Sequence, residues 1–210
     1  MNASPLSEIA ALQREIRGCA RCAALVRCRS CVVPGDGDAP ALVAFVGIAP
    51  GRRGGDRTGI PFSGDRSGDL LRRMLARAGL HSVFITNLVR CNPRDAGGRN
   101  RDPDAREIAN CRAHLARELV IVRPRIIVCL GRLAWRELAG AHEAFATRRA
   151  GYPTRDGAII YPMYHPAYVN RGAYTEREYL RDFRRLARMA RAARARRDLT
   201  ESAAPAMLTR

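Results

Sequence analysis

The sequence predicts an α/β domain built on a central parallel four-stranded sheet, with helices on both faces. Three observations lead there. Four short apolar runs, residues 41–47, 83–89, 126–130 and 158–163, have strand length. Near-continuous apolar runs of this kind mark strands buried on both sides. The segments between them carry helical spacing, and strands alternating with helices favour a parallel sheet. The length of 210 residues, 47% hydrophobic and 27% charged, suits one domain with its own core and excludes a fibrous or wholly disordered chain.

Each element has its own grounds. Residues 7–17 read as a short helix running into the first cysteine pair. Residues 32–40 are a loop rich in Gly, Pro and Asp, and 41–47 (ALVAFVG) is the first buried strand. Residues 48–65 form a long Gly-rich loop containing Pro50 and Pro61. The next helix, 67–78, carries Leu70, Leu71, Met74, Leu75 and Ala78 at helical spacing and stops at Gly79, a C-terminal cap signal. The second strand, 83–89, leads to a polar loop over 92–101. Asp102 followed by Pro103 supplies an N-cap and a first-turn proline for a helix running to about Val122. The third strand is 126–130, a helix follows over 131–138, and the fourth strand is 158–163. The last helix runs from Tyr174 to about Ala193. Residues 1–195 thus make one domain, and 196–210 a disordered polar tail. No repeat is present.

Charge narrows the partner. All 37 basic side chains are Arg, against 20 acidic ones, for a net charge of +17. GC-rich coding explains Arg in place of Lys but not the excess. A balance this basic points to a polyanion, nucleic acid before membrane. The absence of Lys excludes Schiff-base chemistry on a lysine side chain. No run approaches the roughly 18 apolar residues of a membrane span. The first fifteen residues have no secretory pattern, so the expected location is the cytoplasm.

In that compartment thiols stay reduced, and paired cysteines suggest metal. The seven are Cys19, Cys22, Cys28, Cys31, Cys91, Cys111 and Cys129. Spacing alone allows a zinc ribbon on the first four. It equally allows a cluster on one early pair plus Cys91 and Cys111. Cys129, inside an apolar strand, reads as core.

Ligands of open parallel sheets bind beyond the carboxyl ends of the strands. Three unusual segments sit there: Gly47-Ile48-Ala49-Pro50-Gly51, the stretch from Asn87 to Cys91, and Tyr164-His165-Pro166. They should converge on one cleft. The Gly-rich loop between 51 and 68 could be mobile surface. It also suits close backbone approach to a ligand. It is no nucleotide phosphate loop, since that motif requires a Lys.

These segments, with Thr58-Gly59-Ile60-Pro61-Phe62, Ser63-Gly64-Asp65, Thr86-Asn87 ahead of Cys91, and His165-Pro166, resemble the iron–sulfur uracil-DNA glycosylases of bacteria and archaea, families 4 and 5 of their superfamily. The likeness runs from Cys19 to about Phe183. It implies a uracil-DNA glycosylase-like fold whose N-terminal segment is tied down by a [4Fe–4S] cluster on Cys19, Cys22, Cys91 and Cys111, with Cys28 a possible substitute ligand. It implies that the protein flips uracil, or another deaminated base, out of DNA and hydrolyses its N-glycosidic bond. A monomer is expected.

The resemblance assigns roles. Asn87 matches the base-reading amide, Phe62 the stacking ring, and His165 the group that stabilises charge on the leaving base. Gly47, Ile48, Ala49 and Gly51 match the first pocket motif. Ile48 stands where many family-4 members carry an acid. The flanking segment looks more like family 5, in which Asp65 matches the proposed water activator; Asp56 is a weaker candidate, and Asp65 also suits a helix cap. Asn87 and His165-Pro166-Ala167 look like family 4, so the chain is a mosaic. Tyr168, Val169 and Arg171 fall in the position of the DNA-intercalating loop, with Tyr168 or Val169 as the wedge. Arg177, Arg181, Arg184, Arg188 and Arg191 form one helical stripe, either a solvated face or a phosphate-tracking one. The rival readings are an iron–sulfur DNA-binding module without catalysis and a zinc-ribbon nucleic-acid binder.

Overall fold

The computed structural model describes residues 4–140, 145, 151–154 and 157–202, giving the backbone alone for 196–202. The elements are α1 (Pro5–Arg17), α2 (Ala23–Cys28), β1 (Asp36–Gly37), β2 (Val43–Gly47), α3 (Gly55–Thr58), α4 (Arg66–Ala78), β3 (Val83–Asn87), α5 (Ala105–Val122), β4 (Ile126–Leu130), α6 (Arg132–Ala139), β5 (Tyr152–Pro153), β6 (Ile159–Met163), α7 (Pro166–Asn170) and α8 (Glu176–Ser202).

The alternation of side chains along a strand divides the interior in two. Ala44 and Val46 of β2, Phe84 of β3, and Ile127 and Cys129 of β4 face a core shared with α1, α5 and α6. Val43 and Phe45, Ile85, Ile126 and Val128 face a second core filled by α4 and α8. The central strands are therefore covered on both sides, which is why their sequences show no polar alternation.

The sheet order is β1-β3-β2-β4-β6-β5. The four long strands β3, β2, β4 and β6 pair parallel, as expected. The sheet is nevertheless six-stranded and mixed, because β1 and β5 add antiparallel edges two residues long. Such edges carry too few residues for a periodic signal. At Gly37, φ is +125° and a Cβ would sit 2.2 Å from the Val83 carbonyl oxygen, so only glycine closes this edge.

Caps account for the helix starts. Ser4 caps α1 by accepting from the Ser7 N–H, ahead of Pro5. The N-cap of α5 is Asp104 rather than Asp102, within a reciprocal capping box with Glu107. Gly79 ends α4 in the left-handed region at φ +68°. The last helix continues to Ser202, past the expected end near Ala193. Residues 203–210 of the expected tail lie outside the described residues. Among the described residues no helix is long and apolar enough to cross a membrane.

From β2 the chain runs through α4 to β3 on one side. It then returns through α5 to β4 on the other side of β2. The connections leave β2 and β4 in opposite directions, which opens a crevice at their carboxyl ends.

Candidate active site

That crevice holds a cavity of about 190 Å³, whose lining includes Ile48, Ala49, Gly51, Phe62, Asp65, Asn87 and His165. It is smaller than the ~300–1,000 Å³ typical of drug-sized pockets and suits a single small ring. Six pocket residues predicted from separate segments, and Asn87 at the end of β3, thus line one space. Gly47 stands behind them. A Cβ there would lie 2.5 Å from Asn87 Oδ1 and 2.7 Å from the Phe62 ring. Its missing side chain is what lets those two groups approach.

Phe62 takes a left-handed backbone, φ 50°, rarely adopted by a bulky residue. Arg72 holds it there by donating from Nε to the Phe62 carbonyl at 3.1 Å and from Nη2 to the Pro61 carbonyl at 3.3 Å. Gly68, at the start of α4, admits the Phe62 carbonyl where a Cβ would meet it at 2.3 Å. The ring lies 5.5 Å from that of His165, tilted 41°. Strain of this kind concentrates at ligand sites.

Asn87 is 1% exposed, and its side-chain Oδ1 is buried without a hydrogen-bond partner. A buried orphan acceptor costs about 1–3 kcal/mol, and a donor brought in by a ligand would satisfy this one. His165 caps α7, its Nδ1 accepting from the Ala167 N–H at 3.1 Å. With Nδ1 an acceptor, a neutral ring carries its proton on Nε2. Burial first, then the Arg171 charge, pushes the imidazole down to about 4, so at neutral pH the ring is an uncharged donor.

Asp65 takes the cap role weighed for it and also lines the cavity. Its Oδ1 caps α4, accepting from the Ser67 and Gly68 N–H groups at 3.0 and 2.9 Å. Its Oδ2 turns to the other side, 3.0 Å from where a Gly51 Cβ would stand. The second candidate, Asp56, is withdrawn from chemistry. It is fully buried, accepts from the Ser30 N–H and forms a 2.5 Å ion pair with Arg94.

Sequence reasoning missed Asn92 and Asn100, which also line the cavity. Asn92 is buried and donates from Nδ2 to the Pro50 carbonyl at 2.7 Å and to Asn100 Oδ1 at 2.9 Å. Asn100 Oδ1 also accepts from the Arg52 N–H at 3.1 Å. The loop after Cys91 thereby braces the loop after β2. Amides in a polar loop carry no periodic signal. The one available hint was that Asn92 directly follows a candidate ligand.

The four thiols expected to hold a cluster lie in one neighbourhood, within electrostatic reach of Cys91 or Cys111. Cys91 and Cys111 are buried and share a core, with Cys22 packed against it. Burial pushes Cys91 up to about 11, and Cys111 and Cys19 are near enough to push it further the same way. Cys111 is raised by burial and also feels Cys22 and Cys19. The sulfurs are met by N–H donors. Arg29 Nη1 lies 3.1 Å from Cys91 Sγ, Asn110 Nδ2 lies 3.3 Å from Cys22 Sγ, and the Arg90 backbone N–H bonds to Cys111. Among the described residues no three metal-binding side chains close around one ion. A four-iron cubane takes its thiolates at separate corners instead, and N–H···S bonds are a usual feature of such sites. This donor set fits that group. Cys28 Sγ instead donates to the Leu25 and Asn92 carbonyls and Cys31 Sγ to the Asp56 carbonyl, so both brace loops. Cys129 is fully buried in β4.

The expected DNA-facing residues divide. Tyr168 lies half-buried on α7, stacked on Tyr164 at 4.7 Å and 15°. Val169, offered as an alternative wedge, is only 6% exposed and belongs to the second core. It cannot enter a duplex while α7 stays packed. Arg171 is exposed beside His165. Along α8, Arg177, Arg181, Arg184, Arg188 and Arg191 are all exposed, while Leu180, Phe183 and Ala187 are buried.

Comparison with known proteins bears on this site. Residues 34–187 match the Uracil DNA glycosylase superfamily. The chain is 35% identical over 187 residues to the type-4 uracil-DNA glycosylase of Archaeoglobus fulgidus, covering 82% of this chain and 88% of that one. It is 37% identical over 185 residues to the type-5 uracil-DNA glycosylase of Pyrobaculum aerophilum, covering 72% and 79%. It is 37% identical over 164 residues to the type-4 enzyme of Saccharolobus solfataricus, covering 73% of each.

Proposed function

We propose, from the premise that this chain belongs to the uracil DNA glycosylase superfamily, how its residues excise uracil from DNA. The observation that carries the reading is the buried, partnerless Oδ1 of Asn87, facing a one-ring cavity beside Phe62 and His165.

A base must leave the stack to be cut. Once flipped, uracil lies against Phe62. Its N3–H and O4 meet the Asn87 amide, Oδ1 accepting and Nδ2 donating. Cytosine reverses both groups and leaves two buried atoms unpaired, at about 1–3 kcal/mol each. As the glycosidic bond breaks, charge collects on uracil O2. His165 Nε2–H is the donor placed for it, a neutral group whose Nδ1 is already held by Ala167. Asp65 keeps Oδ1 on the cap of α4 and lines the pocket, where its carboxylate orients water or stabilises the sugar cation. Ile48, at the position of an acid in many relatives of the first kind, contributes shape only. The products are free base and an abasic site. With no Lys in the chain, the enzyme has no side-chain amine for a lyase step and is monofunctional.

Cys19, Cys22, Cys91 and Cys111 would hold a [4Fe–4S] cluster, which supplies a rigid cross-link between the N-terminal segment and the loop that braces the pocket. Tyr168 is the wedge that fills the vacated stack, Arg171 contacts phosphate, and the α8 stripe adds non-specific attraction to DNA.

The test incubates anaerobically purified protein with matched oligonucleotides carrying one uracil, one hypoxanthine or no lesion, then cleaves abasic sites with alkali. Excision of uracil that falls sharply in Asp65→Ala and Asn87→Ala is expected. Equal release of hypoxanthine would extend the substrate range to another deaminated base. No release from any lesion by an iron-loaded protein would overturn the reading and leave a DNA-binding module.

A further inference from the structure

Behind the pocket lies a buried ion pair that the chemistry above does not use. Arg90 and Glu118 are 1% and 0% exposed, with Nη2 and Oε2 2.7 Å apart. Glu118 is fully engaged: Oε2 also accepts from Thr86 Oγ1 at 2.7 Å, and Oε1 accepts from the Gly35 N–H at 2.8 Å. Arg90 Nη1 donates to the backbone carbonyl of Asn87 itself. The two residues thus grip Asn87 from both sides, through the residue before it and through its own carbonyl.

The pair is poorly suited to stability alone. Arg90 Nε is buried without a partner. Burying two charges costs several kcal/mol of desolvation each, and apolar replacement of such pairs is often neutral or stabilising. What the pair does provide is orientation. Asn87 is the last residue of β3, where the ladder ends, and its peptide plane sets where the side-chain amide points. Glu118 lies on α5 two turns beyond Cys111, and the Arg90 N–H bonds to Cys111. The placement of α5 therefore bears directly on the amide that reads the base.

We infer that Arg90 and Glu118, with Thr86, are positioning residues for base recognition, acting through Asn87. The inference rests on the glycosylase reading above. A site that must hold a hydrogen-bonding group to about 0.5 Å needs supporting contacts of this kind.

The experiment measures single-turnover excision from a duplex with uracil opposite guanine. The variants are Thr86→Val, Glu118→Gln and the apolar pair Arg90→Met with Glu118→Leu. Each is made alone and in an Asn87→Ala background, with incubations long enough to follow the slowest rate. Binding to the same duplex and thermal unfolding are recorded alongside. Each variant is expected to lose roughly ten- to a hundredfold in rate, the size of one misplaced buried hydrogen bond, with DNA affinity unchanged. In the Asn87→Ala background the same changes are expected to cost nothing further, because the group they position is gone. The apolar pair leaves the Gly35 N–H and the Thr86 hydroxyl without their acceptor, so it is expected to unfold at a lower temperature than the parent, yet to stay folded at the assay temperature and still cut slowly. Thr86→Val, which replaces the hydroxyl with a methyl group and leaves both charges in place, keeps the test open if a charge variant fails to fold. Losses that multiply in the Asn87→Ala background, or an apolar pair cutting at the parental rate, would overturn the inference. A parental protein that releases no uracil would overturn the glycosylase reading itself, a result distinct from either.

Discussion

Replacing Gly47 with Ala tests the pocket geometry with one methyl group. The added Cβ would lie 2.5 Å from Asn87 Oδ1 and 2.7 Å from the Phe62 ring. Ordinary contact begins near ~3.5 Å, so the two groups must retreat by about 1 Å and about 0.8 Å. Neither can do so easily. Asn87 is 1% exposed at a strand end, and Phe62 sits in a left-handed turn pinned by Arg72. Overpacking of this kind costs about 1–3 kcal/mol of stability. The effect on rate is larger, because a displacement near 1 Å at a reacting site costs on the order of 10²-fold. The assay is single-turnover uracil release, with thermal unfolding measured on the same sample. A folded Gly47→Ala protein excising within threefold of the parent would refute the claim that Asn87 and Phe62 close on the base across this glycine.

Further outcomes follow from the same geometry. Burial holds the His165 imidazole near about 4 against an ordinary 6.5. Between those values the unfolded chain takes up a proton that the folded chain does not. Stability therefore falls as pH drops through that window, and His165→Asn is expected to flatten part of the fall in thermal midpoint. His114, lowered chiefly by burial, adds to the same slope; the excision rate of the parent is expected to show no inflection near 6.5. At Asp65, Ala removes the cap of α4 and is expected to cost about 1 kcal/mol of stability. Asn keeps an acceptor for the Ser67 and Gly68 N–H groups and should preserve stability while excision drops, as unfolding and rate measurements on both variants will show. Cys91→Ser or Cys111→Ser is expected to lower iron per chain in anaerobic preparations, whereas Cys28→Ser, whose thiol bonds to the Leu25 and Asn92 carbonyls, is expected to leave it unchanged.

What the sequence made legible was whatever has a periodic or covalent signature. Strands covered on both faces read as unbroken apolar runs, and Gly79 marked a helix end that is left-handed in the fold. Segments at strand ends pointed to one crevice, since topology delivers strand ends to one edge. Less visible were features set by contacts distant in sequence. Asp56 and Asp65 look alike in a Gly-rich loop, yet one is sealed against Arg94 and Ser30 while the other faces the cavity. Val169 and Tyr168 are neighbours, and only the one-turn helix α7 decides which of them faces inward. Asp102 and Asp104 both flank a proline, and the cap went to the one with Glu107 three residues on. Glu118 could have been suspected from its place on one helical face with Cys111 and His114. Its partners, Thr86, Arg90 and Gly35, come from other segments altogether.

The most direct test of the account concerns the hydrogen that Asn87 Oδ1 awaits. Oligonucleotides carrying uracil or 3-methyluracil at one position would be compared in single-turnover excision, by the parent and by Asn87→Ala. Methylation removes the N3–H donor and leaves the glycosidic bond in place. The parent is expected to release uracil and to leave 3-methyluracil essentially uncut, and Asn87→Ala is expected to release both at similarly low rates. Equal release of the two bases by the parent would contradict the assignment of Asn87 as the group that reads uracil.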